Sequence, residues 1–365
     1  MIYKSLLRPL LFRLEAEKAH NTTLNFAKIA TNSFLLRTLA RWIYNYQSQK
    51  LSRNIWGLNF HNPVGLAAGF DKNGQFPEIM EAIGLGFVEI GSITAKPSTG
   101  NPKPRMFRLP DDHSLINRLG LNNDGAKTVI KRLKNKNLNI PIGINIAKSN
   151  DPTLTGDQAI EDYLISYREA QKIGNYITIN ISCPNTADGR TFEDPGALND
   201  LLSALNLKSD ARATATLVKF SADLNRDHLE QLIQVCEDHR VHGYVAANTS
   251  SGREALSTDP RQLEEIGGGG LSGRAIAGRS TQIIRWIRSM IKGQKPIIGV
   301  GGIDSAEQAM EKLKAGADLL QVYTGFVYEG PGLVKNINKG IVRYLNRHGL
   351  DSIHQVRQES ISLKS

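Results

Sequence analysis

The sequence predicts an α/β fold, a (β/α)8 TIM barrel with a small N-terminal helical extension. Three observations predict it. From about residue 60, short and nearly continuous apolar runs recur, as expected of parallel strands buried on both faces. Amphipathic helical patterns such as "TGDQAIEDYLISYREAQKI" and "DSAEQAMEKLKAGA" separate most of them. The strand–helix units together occupy about 260 residues, close to the usual size of one barrel. A doubly wound open sheet meets the same strand count, because counting runs does not establish closure.

The first 50 residues stand apart. Ile2, Leu6, Leu7, Leu10, Leu11 and Leu14 recur at helical spacing beside Lys4, Arg8, Arg13 and Lys18. Leu24, Phe26, Ile29, Phe34, Leu35 and Leu39 form a second apolar stretch. The pattern predicts a helical hairpin turning in the polar region near 18–23. Its apolar face with basic flanks suits a membrane interface; the plain alternative is packing on the barrel. Residues 1–50 are thus expected to form the extension, 51–350 the barrel and 351–365 a tail.

The strand runs follow in order: "VGLAA" at 64, "GFVEIG" at 86, "IPIGINI" at 140 and "YITINIS" at 176. Then come "TLVKFS" at 216, "GYVAANT" at 243, "PIIGVGG" at 296 and "DLLQVYTG" at 318. Longer polar inserts at 92–118 and 249–272 interrupt the rhythm after strand runs. Loops that follow strands form the catalytic face of a barrel, so chemistry is expected there.

The chain has 365 residues, and Lys plus Arg exceed Asp plus Glu by 10. A basic balance suits an anionic substrate, a phosphate cofactor, an acidic membrane or nucleic acid equally well, and a solvated surface too. Two cysteines, Cys183 and Cys236, make no disulfide framework and suit a reducing compartment. No uncharged apolar run is long enough to span a bilayer, and the N-terminus lacks the features of a secretory signal. The expected location is cytosolic, peripheral on a membrane surface.

Two glycine-rich stretches, "GGGGLSGR" (267–274) and "GVGGI" (299–303), suit a phosphate, because glycine lets backbone N–H groups approach an anion. Both are expected in the loops after the last two strands. Asn145, Asn180, Lys219 and the Asn248–Thr249 pair each sit at the end of an apolar strand run. Burying such groups unpaired costs about 1–3 kcal/mol or more, so each needs a partner. One alone is ordinarily a structural hydrogen bonder. Four sets converging on one barrel mouth suit a ligand with alternating donors and acceptors, such as a cyclic imide or a flavin ring. Asp71 and Lys72 in "AAGFDKNG" read structurally as a surface ion pair, and Asn122 and Asn123 in "RLGLNNDG" as helix caps.

Cys183 lies in "NISCPNT", after a strand and among amides. A buried free cysteine ordinarily behaves as a small hydrophobe. A thiolate, however, can take a proton from carbon or attack an electrophile. No His–Asp pair lies nearby in sequence, which favours a general base over a protease-type nucleophile.

"GLNFHNPVGLAAGFDKNG", "EIGSITAKPSTGNPKPRMFRL", "LINRLGLNN", "INISCPNT", "GGLSGR" and "IIGVGGIDS" together resemble the dihydroorotate dehydrogenases, in order and spacing and over essentially the whole chain. "LLFRLEAEKAH" and "PRMFRL…INRLGLNN" resemble the quinone-linked, class 2 branch, whose helical extension forms a quinone tunnel. The resemblance implies FMN as cofactor, with its phosphate near Gly273, Gly302, Tyr323 and Thr324. It places the flavin ring among Ala68, Gly69, Lys72, Ser92, Asn145, Asn180, Lys219 and Ala247. It implies dihydroorotate contacts from Lys72, Asn117, Asn180, Asn185, Asn248 and Thr249, and from the loop Arg118, Leu119, Gly120, Leu121. Arg108 and Tyr323 would lie between flavin and quinone, and Cys183 would be the base. No metal and no nucleic acid are implied, and a monomer is compatible with the pattern.

Three departures stand out. The quinone-linked branch ordinarily carries serine at the base position, and cysteine marks the soluble branch. Ala247 stands where threonine is common, and a backbone contact survives that change. "TADGRTFEDP" is more polar than the usual segment after the base. The competing expectations are a fumarate-type enzyme and a related FMN reductase acting on another pyrimidine ring.

Overall fold

Parallel strands close into a barrel, each pairing with its neighbour in sequence. They are β1 (Val64–Leu66), β2 (Phe87–Ile93), β3 (Ile142–Ile146), β4 (Tyr176–Asn180), β5 (Ala215–Phe220), β6 (Gly243–Ala246), β7 (Ile297–Val300) and β8 (Leu319–Val322). Leu320 of β8 pairs with Val64 of β1, which closes the ring and excludes the open sheet. All the predicted runs are barrel strands, and every residue of β2, β4 and β5 is buried. This is a computed structural model, and it describes residues 3–182, 192–207, 214–254, 256–291 and 295–356.

The main core lies between the strands and the surrounding helices, with Val88, Ile144, Ile177 and Val218 facing Leu229, Ile283 and Ile337. A second cluster, including Phe60, Phe87, Tyr176 and Leu217, fills the barrel interior at its N-terminal end. An antiparallel hairpin, Arg53–Ile55 with Leu58–Phe60, plugs that end. The opposite end is open. Side chains at the C-terminal ends of the strands therefore have a cavity to face.

The inserts after β2 and β6 build one structure. Met106–Leu109 and Ser114–Asn117 form a hairpin, and Gly270–Gly273 adds to its edge as a third antiparallel strand. "GGGGLSGR" therefore lies after the sixth strand, whereas it was expected among the last two loops. The antiparallel pairing, unreadable from spacing, carries it across the mouth.

The N-terminal expectation needs correction. After a π turn at Tyr3–Leu7 come α1 (Arg8–Phe12), α2 (Ala16–Asn32) and α3 (Phe34–Tyr44). Residues 18–23 are not a turn but the middle of α2. Thr22 and Thr23 donate to the carbonyls of Lys18 and Ala19, so their polarity is absorbed by the helix. The breaks fall where caps stand. Glu15 accepts from the N–H groups of Glu17 and Lys18, and Ser33 accepts from that of Leu36.

The extension packs Ala27, Ala30, Leu24 and Leu36 on the main core but leaves a second apolar face uncovered. Phe26, Ile29, Phe34, Leu35, Leu39 and Trp42 are exposed, Trp42 by 83%. Among the described residues no helix is long and apolar enough to cross a membrane. At the other terminus Ile353 and Val356 are buried in the core, while residues 357–365 lie outside the described set.

Candidate functional site

A cavity of about 590 Å³ opens at the C-terminal ends of the strands, within the size range of cofactor sites. Ala68, Gly69, Lys72, Ser92, Asn180, Lys219 and Ala247 line its inner part. Asn117, Arg118, Leu119, Gly120, Leu121, Asn248 and Thr249 line one wall, and Gly273, Gly302, Tyr323 and Thr324 another. Cys183 and Asn185 lie outside the described residues.

Asn145 is brought close but not onto the surface. It is fully buried, and Ser92, which donates to it, lines the cavity in front of it. The two belong to a directed chain of hydrogen bonds. Asn248 Nδ2 donates to Ser182 Oγ at 2.5 Å, and Ser182 Oγ to Asn180 Oδ1 at 3.0 Å. Asn180 Nδ2 donates to Ser92 Oγ at 3.2 Å, Ser92 Oγ to Asn145 Oδ1 at 2.5 Å, and Asn145 Nδ2 to Glu89 Oε1 at 2.7 Å. Gln321 and Tyr176 donate to the other Glu89 oxygen. Every donor points toward one buried carboxylate, so each amide's orientation is set by the next. Asn180 and Asn248 thereby meet the cavity with fixed polarity.

Two lysines face this polar floor. Lys219 is 5% exposed, and its ammonium has no hydrogen bond or ion pair among the described residues. Burial lowers its pKa, and the Glu89 carboxylate opposes that. A buried cation without an acceptor is a demand for a ligand acceptor. Lys72 is pushed down to about 8, by burial first and by the Arg105 charge next, with Glu17 and Asp71 opposing. Asp71 is not its surface partner. It is buried, and its oxygens accept from the N–H groups of Gln75 and Phe76, shaping the loop that presents Lys72.

The opposite wall is a glycine cradle. Gly302 has φ +71°, and a Cβ there would lie 2.4 Å from the Ala277 Cβ. Gly273 has φ +104°, and its Cβ would lie 2.5 Å from the His113 carbonyl. Only glycine fits both positions. Ser272 and Thr324 hydroxyls meet beside them at 2.9 Å. Backbone approaching this closely, next to a helix start, suits a phosphate. The cavity therefore combines a glycine cradle suited to an anion with a buried cation and amides.

The loop at 118–123 is pinned from within. Asn123 Oδ1 accepts from Thr94 and Gly125 N–H groups, and Nδ2 donates to the Thr94 hydroxyl and the Leu121 carbonyl. It braces the loop rather than capping the following helix, Ala126–Leu133, whose N-cap Gly125 makes no side-chain cap. Arg118 lies over the Phe107 ring at 4.7 Å and donates to Gly268, so its backbone, not its guanidinium, faces inward.

Arg108 does not line the cavity. It donates to the carbonyls of Leu11, Phe12 and Leu14 and stacks over Phe12 at 4.7 Å, clamping the extension to the barrel insert. Tyr323 sits at the cavity edge with its hydroxyl donating to Gly69 O at 3.4 Å. A run of edge-on rings leads outward from it: Tyr323 to Phe70 at 5.4 Å, then Phe70 to His20 of α2 at 5.3 Å. Burial and the Lys72 charge push His20 down to about 3, against Glu17, so it is neutral at any physiological pH.

Some functional groups escaped the reading of the sequence. Glu89 and Gln321 are polar residues inside apolar strand runs, the same signal that singled out Lys219. Glu193, Ser221 and Asp223 line the cavity from loops after β4 and β5, where no pattern distinguishes them. His20 lacked any local signal beyond its helix. Cys236 is fully buried, and burial raises its thiol pKa, which leaves it inert.

A family model described as dihydroorotate dehydrogenase matches residues 50–345. The chain is 41% identical over 350 residues to dihydroorotate dehydrogenase (quinone) of Gloeobacter violaceus, covering 96% of this chain and 97% of that one. It is 40% identical over 343 residues to the protein of the same name from Christiangramia forsetii, covering 93% and 99%. A crystal structure of DHODH from Eimeria tenella in complex with ferulenol superposes with a TM-score of 0.76 at 32% identity, covering 89% of this chain and 92% of that one. Fold, cavity and sequence agree: the chain belongs to the dihydroorotate dehydrogenase family, in its class 2 branch.

Proposed function

We propose that the chain oxidises (S)-dihydroorotate to orotate, using FMN as hydride acceptor and a quinone as final electron acceptor, in pyrimidine biosynthesis. One observation carries it. Lys72, Lys219 and the amides Asn117, Asn180 and Asn248 line one cavity together with a glycine cradle. Those groups complement a carboxylate, an imide and a flavin phosphate. Relatives named dihydroorotate dehydrogenase (quinone) at about 40% identity over nearly the full chain support the same reaction.

FMN fits the residues present. The cradle at Gly273, Gly302 and Thr324 would hold its phosphate, and Ser92, Asn180 and Lys219 its ring. Bound there, it supplies a hydride acceptor for the hydrogen on C6 of the substrate. Lys219 would favour negative charge on a ring bound beside it, because a buried cation acts at low effective dielectric. Lys72 pairs with the substrate carboxylate. Asn117, Asn180 and Asn248 fix the imide edge, the polarity of Asn180 and Asn248 being imposed by the chain ending on Glu89 and that of Asn117 by its bond to the Gly270 carbonyl. Cys183 takes the proton from C5.

The quinone is proposed to enter along the extension, between α1 and α2, toward Tyr323 and Phe70. The exposed apolar residues of α2 and α3 are proposed to rest on the cytoplasmic face of a membrane, beside Lys28, Arg37 and Arg41. An exposed aromatic and aliphatic patch of this kind ordinarily marks an interaction surface.

Steady-state oxidation of dihydroorotate with a panel of acceptors tests the assignment. A ubiquinone analogue is expected to sustain turnover well above fumarate, and equal rates would move the chain to the soluble-acceptor class. The double variant Leu35→Ser, Trp42→Ser is expected to lose binding to phospholipid vesicles while keeping turnover with a water-soluble dye.

A further inference from the structure

Among the described residues, the cations that line the cavity are Lys72, Arg118 and Lys219. The glycine cradle is made instead of backbone at Gly273, Gly301 and Gly302 and of the Ser272 and Thr324 hydroxyls. It carries no formal positive charge. Arg274, next to Gly273, is committed to Asp304 at 2.8 Å. A phosphate ester seated there brings a charge of about −1.5 to −2 against a neutral wall.

Behind that wall lies a cation without a counter-ion. Lys312, on the helix Ala306–Ala315, is 1% exposed. Its ammonium donates to the Ala277 carbonyl at 3.2 Å and to the Ser280 and Thr281 hydroxyls at 3.1 Å each. All three acceptors are neutral, and no ion pair to Lys312 forms among the described residues. Burial pushes its pKa down to about 7, with Glu311 opposing and Arg285 adding to the fall. A buried ammonium held only by neutral acceptors is costly unless an anion lies near.

The three acceptors sit in the first turns of the helix Ala277–Met290, and the start of that helix backs the cradle. A Cβ on Gly302 would lie 2.6 Å from the Ala277 Cα, and one on Gly301 3.0 Å from the Ser280 Cβ. Lys312 thus holds the same two residues against which the cradle glycines pack. An anion site lacks a cation, a buried cation lacks an anion, and one layer of backbone separates them.

We propose that Lys312 is the counter-charge of the cradle, a positioning residue that makes the site select a phosphorylated flavin over an unphosphorylated one. This rests on the cradle being the phosphate site of FMN. Lys312 touches no ligand. Its field reaches the cradle through the helix start, in the same sense as the helix dipole and at low effective dielectric.

Lys312→Met tests it, with Lys314→Met as control. Lys314 lies on the same helix but is exposed, so the two variants change the net charge equally. Removing the ammonium orphans neither hydroxyl, because Ser280 and Thr281 donate to the Val300 and Ala277 carbonyls. The full-length chain, stripped of flavin, is titrated with FMN and with riboflavin and read by flavin fluorescence. Lys312→Met is expected to weaken FMN at least about tenfold and to leave riboflavin unchanged. Lys314→Met is expected to change neither. Should Lys312→Met fail to fold, Lys312→Gln, which keeps a donor and loses the charge, carries the same expectation. Equal weakening of both flavins marks a structural brace and overturns the proposal. Unchanged FMN affinity, or the same loss in Lys314→Met, overturns it too. A wild-type chain that binds FMN no tighter than riboflavin overturns the cradle assignment and this proposal together.

Discussion

Arg105 grips Glu17 through Nε and Nη2, at 2.8–3.2 Å, while its Nη1 donates to the carbonyls of Thr99 at 2.7 Å and Asn101 at 2.8 Å. One guanidinium thus ties α2 to the loop whose Asn101 lines the cavity. Both partners are nearly buried, at 5% and 6% exposure. Breaking a buried pair by removing one partner costs about 3 kcal/mol. Glu17→Gln is expected to lower stability by about that amount, read by urea unfolding. Burial alone raises the Glu17 carboxyl, but the Arg105 hydrogen bonds and charge, helped by Lys103, outweigh it and hold it below the usual range. A depressed folded pKa places this stabilisation above the unfolded value and removes it as pH falls through the folded one. Acidification from about pH 5 to 3 should therefore cost the wild type more stability than the variant. Equal acid sensitivity would show that the pair carries no linkage.

On its proposed place beside the substrate carboxylate, Lys72 is expected to govern how substrate affinity depends on pH. Its pKa of about 8 means the ammonium is lost as pH climbs through that value. The KM for dihydroorotate is expected to rise above pH 8 while remaining flat below neutrality. Lys72→Met should raise KM by about ten- to a hundredfold, the worth of one charge-assisted hydrogen bond, and abolish that rise. A variant with wild-type KM would remove Lys72 from the carboxylate site.

Cys183→Ala is expected to lower dihydroorotate oxidation by about a hundredfold or more while FMN stays bound, because only the proton acceptor is lost. Cys183→Ser should lose less, provided the site can activate a hydroxyl. Stopped-flow flavin reduction measures both. Near-normal reduction in the alanine variant would return Cys183 to packing.

Gly302→Ala probes the cradle. The new methyl meets Ala277 at 2.4 Å in a left-handed conformation. The combined strain and overpacking is expected to cost about 1–3 kcal/mol. Flavin content after purification and thermal melting with added FMN should both fall. Full flavin occupancy would place the phosphate elsewhere.

The barrel was legible because buried parallel strands write themselves as apolar runs, and each predicted run became a strand. Lys219, Asn180 and Asn248 were legible for the complementary reason, that a polar residue inside such a run must face something polar. The same logic extends to Glu89 and Gln321, which end up holding the floor of the site. Asn145 shows its limit: a polar strand residue can face a neighbouring side chain and never reach the cavity. The turn expected at 18–23 failed because helix-compatible threonines resemble loop residues in composition. The cross-mouth sheet was illegible because Gly270 and Asn117 pair across a distance in sequence that no local pattern encodes.

That three-stranded sheet makes flavin capture a test of completeness. Its strands come from inserts after β2 and β6, and the cradle they support also needs Gly302 and Thr324, which follow β7 and β8. The ends of such distant pairings are brought together late and at an entropic cost. A chain still emerging from the ribosome, or one cut anywhere before residue 324, lacks part of the wall proposed to hold the phosphate. On that proposal, flavin colour in a purified sample is expected only once both ends of the barrel have met.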